Sequence, residues 1–267
     1  NMTLKFNDVY INETATITGP YESEGSLAKY FDLCHKDLYF GEKNWEEAEE
    51  KLIYEAINTL VRKKKLDLNS VDVFIGGDLL NQIAPSNYVM KKFNNSFIGV
   101  YAACSNSTLG LILSGVLLEG GFANRVITFT SSHNTAAEKQ YRYPVEYGGP
   151  KPKATTFTST GAVSALLSKE KSNIKLESGT VGAVIDSLSK DVFNMGAAMA
   201  KAAADTIYKH LKDTGRSIDY YDLVLTGDLG IYGKEILKEY MLSEYNIKLD
   251  KYNDTGVMLY DLETQPV

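Results

Sequence analysis

Between two short apolar strands, Phe97 to Tyr101 and Val126 to Thr130, lies a helical stretch from about Thr108 to Glu119 that has no polar face. Leu109, Leu111, Ile112, Leu113, Val116, Leu117 and Leu118 would point to every side of it. A helix that is apolar all round is expected to be enclosed by protein. The apolar run from Leu109 to Leu118 is also far shorter than the roughly 20 residues that cross a bilayer. The stretch therefore predicts an internal helix of an α/β core. As the connection of a strand-helix-strand unit it should bring its two strands parallel.

The flanking pattern is of the same class. Asn44 followed by Glu47 has capping-box spacing, and Trp45, Ala48, Leu52, Ile53, Ala56, Ile57, Leu60 and Val61 repeat at helical intervals. The helix ends at Lys63-Lys64-Lys65, where cations suit the C-terminal dipole, and this run reads as a solvated helix end. A short strand, Val71 to Ile75, follows, and Ala162 to Leu167 supplies another. The polar stretch 169–173 is the expected hinge between an N-terminal half, 1–171, and a C-terminal half, 172–267. In the second half a strand from Ile174 to Val181, an Ala-rich helix from about Met195 to Leu211 and a strand from Leu223 to Thr226 repeat the order of the first. The phrase Gly77-Asp78-Leu79 returns as Gly227-Asp228-Leu229, each time after helix and strand, which points to duplication. After it, only a helix near 234–242 and a strand near Val257 to Tyr260 are expected. Measured against the first half, the second reads as incomplete.

A formal net charge of −6 excludes a global electrostatic reason to bind nucleic acid or an anionic membrane. The two cysteines, Cys34 and Cys104, have neither CxxC nor Cys/His ligand spacing, so no metal site or disulfide framework is indicated. No signal-peptide pattern is seen at the start, and membrane association is expected only through partners.

Candidate site residues gather at strand ends. Cys104 falls between a strand and a helix start, where a thiol can act as a nucleophile or line a pocket; the other reading is a small hydrophobe in a tight turn. His133 follows the strand Val126 to Thr130, at the sheet end where open α/β folds bind ligands, or else is a hydrogen-bonded turn residue. His35 and His210 lie in segments that read as surface. Asp78 and Asp228 would face one another across a pseudo-twofold axis and line a pocket, or cap the next helix. Met195 and Met199, one turn apart, offer a soft apolar wall or core packing. Lys139, Arg142, Lys151 and Lys153 with Tyr141, Tyr143 and Tyr147 form the densest basic-aromatic stretch, and Arg142 is the preferred anion contact.

The duplicated α/β unit, the internal helix and the cysteine at its start resemble the thiolase-like superfamily. Gly77-Asp78-Leu79-Leu80-Asn81-Gln82, Ala103-Cys104-Ser105, Ser131-Ser132-His133-Asn134, 142–149 and 195–207 are similar, within it, to the stage V sporulation protein AD family. That resemblance implies a thiolase-like fold of two duplicated halves around buried helices. It also implies noncatalytic binding of dipicolinic acid, with calcium admitted as the dipicolinate chelate and no other cofactor, for uptake or release in bacterial spores. Asp78, Cys104, His133, Arg142, Met195 and Asp228 are the expected ligand contacts. The expected setting is the spore inner membrane, reached through membrane proteins of a transport complex, with a homodimer formed through the central sheet. The superfamily's enzymes acylate the cysteine equivalent to Cys104 and place a histidine where this chain has Gly227-Asp228-Leu229, so catalysis is not expected. The alternative is an acyl-CoA or acyl-carrier condensing enzyme with Cys104 as nucleophile.

Overall fold

The computed structural model describes residues 2–141, 155–191 and 193–265. In chain order its elements are β1 (Met2–Lys5), β2 (Tyr10–Thr18), β3 (Leu33–Cys34), α1 (Trp45–Lys64), β4 (Val73–Gly77), α2 (Ala84–Met90), β5 (Ser96–Gly99), α3 (Asn106–Glu119), β6 (Arg125–Ser132), α4 (Asn134–Tyr141), β7 (Gly161–Ser168), β8 (Ile174–Lys175), β9 (Ser178–Val181), α5 (Met195–Thr214), β10 (Val224–Thr226), α6 (Gly230–Tyr245), β11 (Tyr252–Asp254) and α7 (Thr255–Leu259). They form two compact units. The larger takes Phe6–Gly149 and Thr158–Glu177; the smaller takes Asn1–Lys5, Pro150–Phe157 and Ser178–Val267.

A mixed sheet in the order β3-β2-β7-β6-β4-β5 is the frame of the larger unit, with β8 also pairing β2. The β4 strand lies parallel to both β5 and β6, while β7 runs antiparallel to β6 and β2. The expected parallel strands around α3 are therefore parallel but not adjacent, because β4 inserts between them. On one side of the sheet, Ile53, Ile57 and Leu60 of α1 join Phe74, Ile127, Phe129 and Leu166 in the core. The α1 cap is as the spacing predicts, with Asn44 Oδ1 accepting from the Glu47 amide at 2.8 Å. Lys63 departs from the reading of a solvated end. Its ammonium stands 2.9 Å from Asp32 and donates to the Thr14 carbonyl at 2.7 Å, so it ties α1 to β2.

The α3 helix packs on β6 and β4, with Gly110, Ser114, Gly115 and Leu118 buried and Gly115 set against the ring of Phe6. A β-carbon at Gly110 would fall 2.1 Å from Thr128 Oγ1, so this small-residue stripe is what allows the helix to settle on the sheet. The expectation of enclosure on every side is corrected. Leu109, Leu111, Ile112, Leu113 and Leu117 are half-buried and Val116 is exposed. Small residues buy close approach on one face only, and composition alone does not show which face that is.

In the smaller unit, β1 pairs with β9 antiparallel and β10 with β11 parallel. The 20-residue α5 repeats the design of the 20-residue α1. Asn194 accepts from the Ala197 amide, a left-handed residue closes the helix, and a short 3-10 turn leads to the strand before Gly-Asp-Leu. Three expectations change. The stretch from Ile174 to Val181 splits, its first part pairing β2 and its second β1. The helix near 234–242 runs the full length of α6. The strand near Val257 to Tyr260 is instead α7, because Asp254 Oδ1 accepts from the Val257 amide at 3.1 Å and starts a helix; the strand is β11, just before it.

At the end of β4 a β-carbon on residue 77 would lie 1.9 Å from the Val100 carbonyl oxygen. Gly77→Ala is expected to destabilise the protein by ~3 kcal/mol, the upper end for overpacking a closed site, read from urea denaturation monitored by circular dichroism.

Candidate functional site

Three of the expected site residues stand at neighbouring strand ends. Asp78 directly follows β4, His133 directly follows β6, and Cys104 lies beyond β5 in the short 3-10 turn Ala103–Ser105. Since the strands run parallel in the order β6-β4-β5, all three belong to one carboxyl edge of the sheet. The Cys104 turn is pinned to that edge. Val100 donates its amide to the Gly76 carbonyl at 2.9 Å; buried Asn106 accepts from the Ala102 amide at 2.7 Å and donates to the Asp78 carbonyl at 3.3 Å. Ala103 is held at φ 47°, and Gln82 and Ile83 at φ 58° and 47°. Left-handed backbone at non-glycine residues costs energy and gathers where function over-determines the chain. Here it flanks the same edge, and Cys104 itself is exposed at the start of α3.

Asp78 and His133 are committed to the chain. The Asp78 side chain is wholly buried; it accepts from the Leu80 amide at 2.9 Å, the Ser86 amide at 3.0 Å and the Ser86 hydroxyl at 2.6 Å. Desolvation raises its carboxyl above the ordinary value, against the bonds from Ser86 and Leu80. His133 is fully buried, 5.7 Å between ring centres from Phe40. The Leu38 carbonyl can only accept, so His133 Nε2 carries a proton and donates to it at 2.7 Å, while Nδ1 accepts from the Ala136 amide at 3.3 Å. The ring is therefore neutral, and burial holds its pKa below the usual histidine value.

Sequence reading missed a fourth group. Glu49 of α1 is wholly buried; one carboxyl oxygen accepts from Ser131 Oγ at 2.8 Å, and the other has no hydrogen-bond partner among the described residues. Desolvation first, then the nearby Asp78 carboxylate, push its pKa up to about 8. A signal for it existed, since residue 49 shares the buried stripe of Leu52, Ile53, Ala56 and Leu60. Of the polar rim nearby, sequence reading singles out only Tyr141, as part of the basic-aromatic stretch. Tyr101 donates to the Tyr141 hydroxyl at 2.9 Å, Tyr141 donates to the Leu79 carbonyl, and Gln140 and Asn81 exchange two bonds of 3.1 Å. Burial and the neighbouring Tyr101 raise the Tyr141 hydroxyl to about 12, so it stays protonated and acts as a donor.

The smaller unit holds Asp228 and Met195. Asp228 is half-buried and lines a cleft of about 80 Å³ with Thr156, Phe157, Tyr232 and Tyr260. The bracing role falls to Asp254, which accepts from the Leu229 amide at 2.8 Å as well as from Val257. Met199 packs in the core of this unit and Met195 is exposed at the first turn of α5. Asp78 and Asp228 belong to different units. Arg142, with Tyr143, Tyr147, Lys151 and Lys153, lies outside the described residues; Lys139 pairs with Glu46 at 3.4 Å. His210, expected at the surface, is half-buried between Thr180 and Tyr221, because the β1-β9 ladder packs over it.

Comparison with known proteins gives a consistent picture. The family model described as stage V sporulation protein AD (SpoVAD) matches residues 1–267. The chain is 40% identical over 257 residues to stage V sporulation protein AD of Bacillus subtilis (strain 168), an alignment covering 96% of this chain and 76% of that protein. Among solved structures it is similar to Xanthomonas campestris OleA H285N, with a TM-score of 0.66, 11% identity and coverage of 96% and 87%. The same variant with cerulenin gives 0.65, 10%, 97% and 85%. At such identity the likeness shows the fold, which is thiolase-like.

The two buried groups make stability depend on pH in opposite senses. His133 is depressed, so its contribution is present above about 6.5, the unfolded value, and is lost as pH falls below it. Glu49 is raised, so its contribution is full below about 4.5, declines as pH rises, and is lost above about 8. Glu49→Gln keeps an acceptor for Ser131 and removes the titration. It is expected to stabilise the protein by ~3 kcal/mol at pH 9 and by less than ~1 kcal/mol at pH 5, read from urea melts at the two values.

Proposed function

The chain belongs to the stage V sporulation protein AD family, and we propose that it binds dipicolinic acid, alone or as its calcium chelate, without catalysing a reaction on it. The observation that carries the noncatalytic half is the state of the three histidines. His35 Nε2 is 2.5 Å from the Glu55 carboxylate, His133 has both ring nitrogens engaged, and His210 lies between two hydroxyls. Acyl transfer through Cys104 needs a base for its thiol and donors for the developing oxyanion. None of the three imidazoles is held ready for that, and Gly227-Asp228-Leu229 stands where the superfamily's enzymes place one.

What supports binding is the surviving form of the edge. Strained turns, a hydroxyl and amide rim and an exposed sulfur remain around a carboxyl edge, the usual place for ligands in α/β sheets. Dipicolinate is a planar ring between two carboxylates, suited to a guanidinium such as that of Arg142 and to tyrosine faces. We assign the chain to the inner membrane of the spore through protein partners; none of the described helices is long and apolar enough to cross a membrane. We also assign it a homodimer formed along β5, which ends the described sheet and exposes Ile98.

Isothermal titration of the full chain with dipicolinate, with and without calcium, is expected to give saturable heat, with Arg142→Ala weakening affinity at least about tenfold, a change of ~1.4 kcal/mol. Absence of both heat and thermal shift would remove the ligand. Intact-mass analysis after incubation with acyl-CoA of several chain lengths is expected to show Cys104 unmodified; a stable acyl adduct there would instead establish the condensing-enzyme reading. In sedimentation, Ile98→Lys is expected to convert a dimer into a monomer.

A further inference from the structure

The phrase Gly-Asp-Leu occurs twice, and its aspartate does different work in the two units. Asp78 is wholly buried and takes three donors from the chain. Asp228 is half-buried, and the amides of Leu229 and Val257, at the starts of α6 and α7, go to Asp254 instead, at 2.8 and 3.1 Å. What Asp228 borders is the cleft of about 80 Å³. A glycine lets it stand there: a β-carbon on residue 256, in the first turn of α7, would fall 2.2 Å from Asp228 Oδ1, so the carboxylate lies against bare backbone. The walls are largely aromatic. Phe157 and Tyr260 meet edge to face, with ring centres 5.5 Å apart and planes at 89°, and so form a corner of π surface. Tyr232, 51% exposed, adds a third ring from the first turn of α6. Among the described residues that line the cleft, Asp228 is the only charged one.

We propose that this cleft binds the ammonium head of a small aliphatic amine. The carboxylate supplies the opposite charge, and the faces of aromatic rings carry a negative quadrupole that attracts a cation. One carboxylate among aromatic walls therefore favours an organic cation over a neutral molecule of the same size. The usual guest of a helix start is an anion, but the Leu229 and Val257 amides are already bonded to Asp254, and Asp228 would repel a second negative charge. A metal ion such as calcium needs six to eight oxygen ligands, which an aromatic wall cannot supply. Asp228 need not be without other partners, because an ionised carboxylate has about four acceptor positions. Size narrows the class further. A cavity of about 150 Å³ takes the six carbons of benzene, so one of about 80 Å³ takes roughly three or four non-hydrogen atoms, an ammonium nitrogen with its first carbons. The charge selected is opposite to that of the dianion in the reading above, so this site stands or falls independently of it.

Methyl NMR of the full chain at pH 7 and constant ionic strength tests this with n-propylammonium, with propan-1-ol as its neutral match and propionate as the anion. Propylammonium is expected to shift the methyl signals of Ile231 and Val257 saturably, with a dissociation constant of about 1 mM, while those of Ile57 and Leu166 in the core of the larger unit stay in place. The alcohol and the anion are expected to bind at least about tenfold more weakly. Asp228→Asn is expected to erase the preference for the cation over the alcohol. Tyr232→Ala, at a ring half in solvent, is expected to weaken propylammonium by about threefold and serves alone if the first variant does not fold. No saturable shift, equal affinity for the alcohol, a preference that survives in folded Asp228→Asn, or an affinity unchanged in Tyr232→Ala would overturn the inference.

Discussion

No side chain fits at residue 77. The carbonyl of Val100 passes so close to the end of β4 that a β-carbon would meet it at 1.9 Å, and this close passage is what the carboxyl edge of the larger unit is built on. Because the chain leaving β5 can lie against β4, the Val100 amide reaches Gly76 and Asn106 reaches the Asp78 carbonyl. Cys104 is thereby held at the start of α3, above the same strand end that presents Asp78. Lifting the two segments apart by the width of a methyl group would undo each of these bonds, which is why the glycine and the buried asparagine act as one unit.

Around that edge the chain carries unusual polar burial. Asp78, Glu49 and His133 are all without solvent contact, and each answers the cost differently. Asp78 collects three donors, which work against the desolvation that raises its carboxyl. His133 remains neutral by giving its one proton to a carbonyl and accepting an amide. Glu49 keeps its proton into the alkaline range, since a second negative charge beside Asp78 in a dry setting is worse than an acid with one idle oxygen. The group that looks most like an acid-base catalyst in the sequence, His133, is therefore a structural bracket, while the exposed sulfur and the tyrosine rim are what meet solvent.

The two units share one plan, and the differences between them are informative. Both use an asparagine-capped 20-residue helix, a left-handed end, a 3-10 turn and a strand before Gly-Asp-Leu. In the larger unit the aspartate of that phrase is the buried brace. In the smaller unit Asp254, one strand away, braces Leu229, and Asp228 faces a cleft. The same backbone phrase is thus braced by a different carboxylate in each unit.

Sequence by itself determined α1, β4, β6, β7, α5 and β10, the repeated order of helix, strand and Gly-Asp-Leu, the absence of a spanning helix among those expected, and the placing of Asp78, Cys104 and His133 at strand ends. Those are local or near-local properties: hydrophobic period, capping residues and the order of strand and turn. Only tertiary structure decided that β4 separates β5 from β6 and that α3 buries one face and shows the other. It also decided that Glu49 has no solvent, that His133 is bonded at both nitrogens, and that His210 lies between Thr180 of β9 and Tyr221. Such facts depend on which atoms approach from elsewhere, and pattern along a single chain carries no distance between its segments.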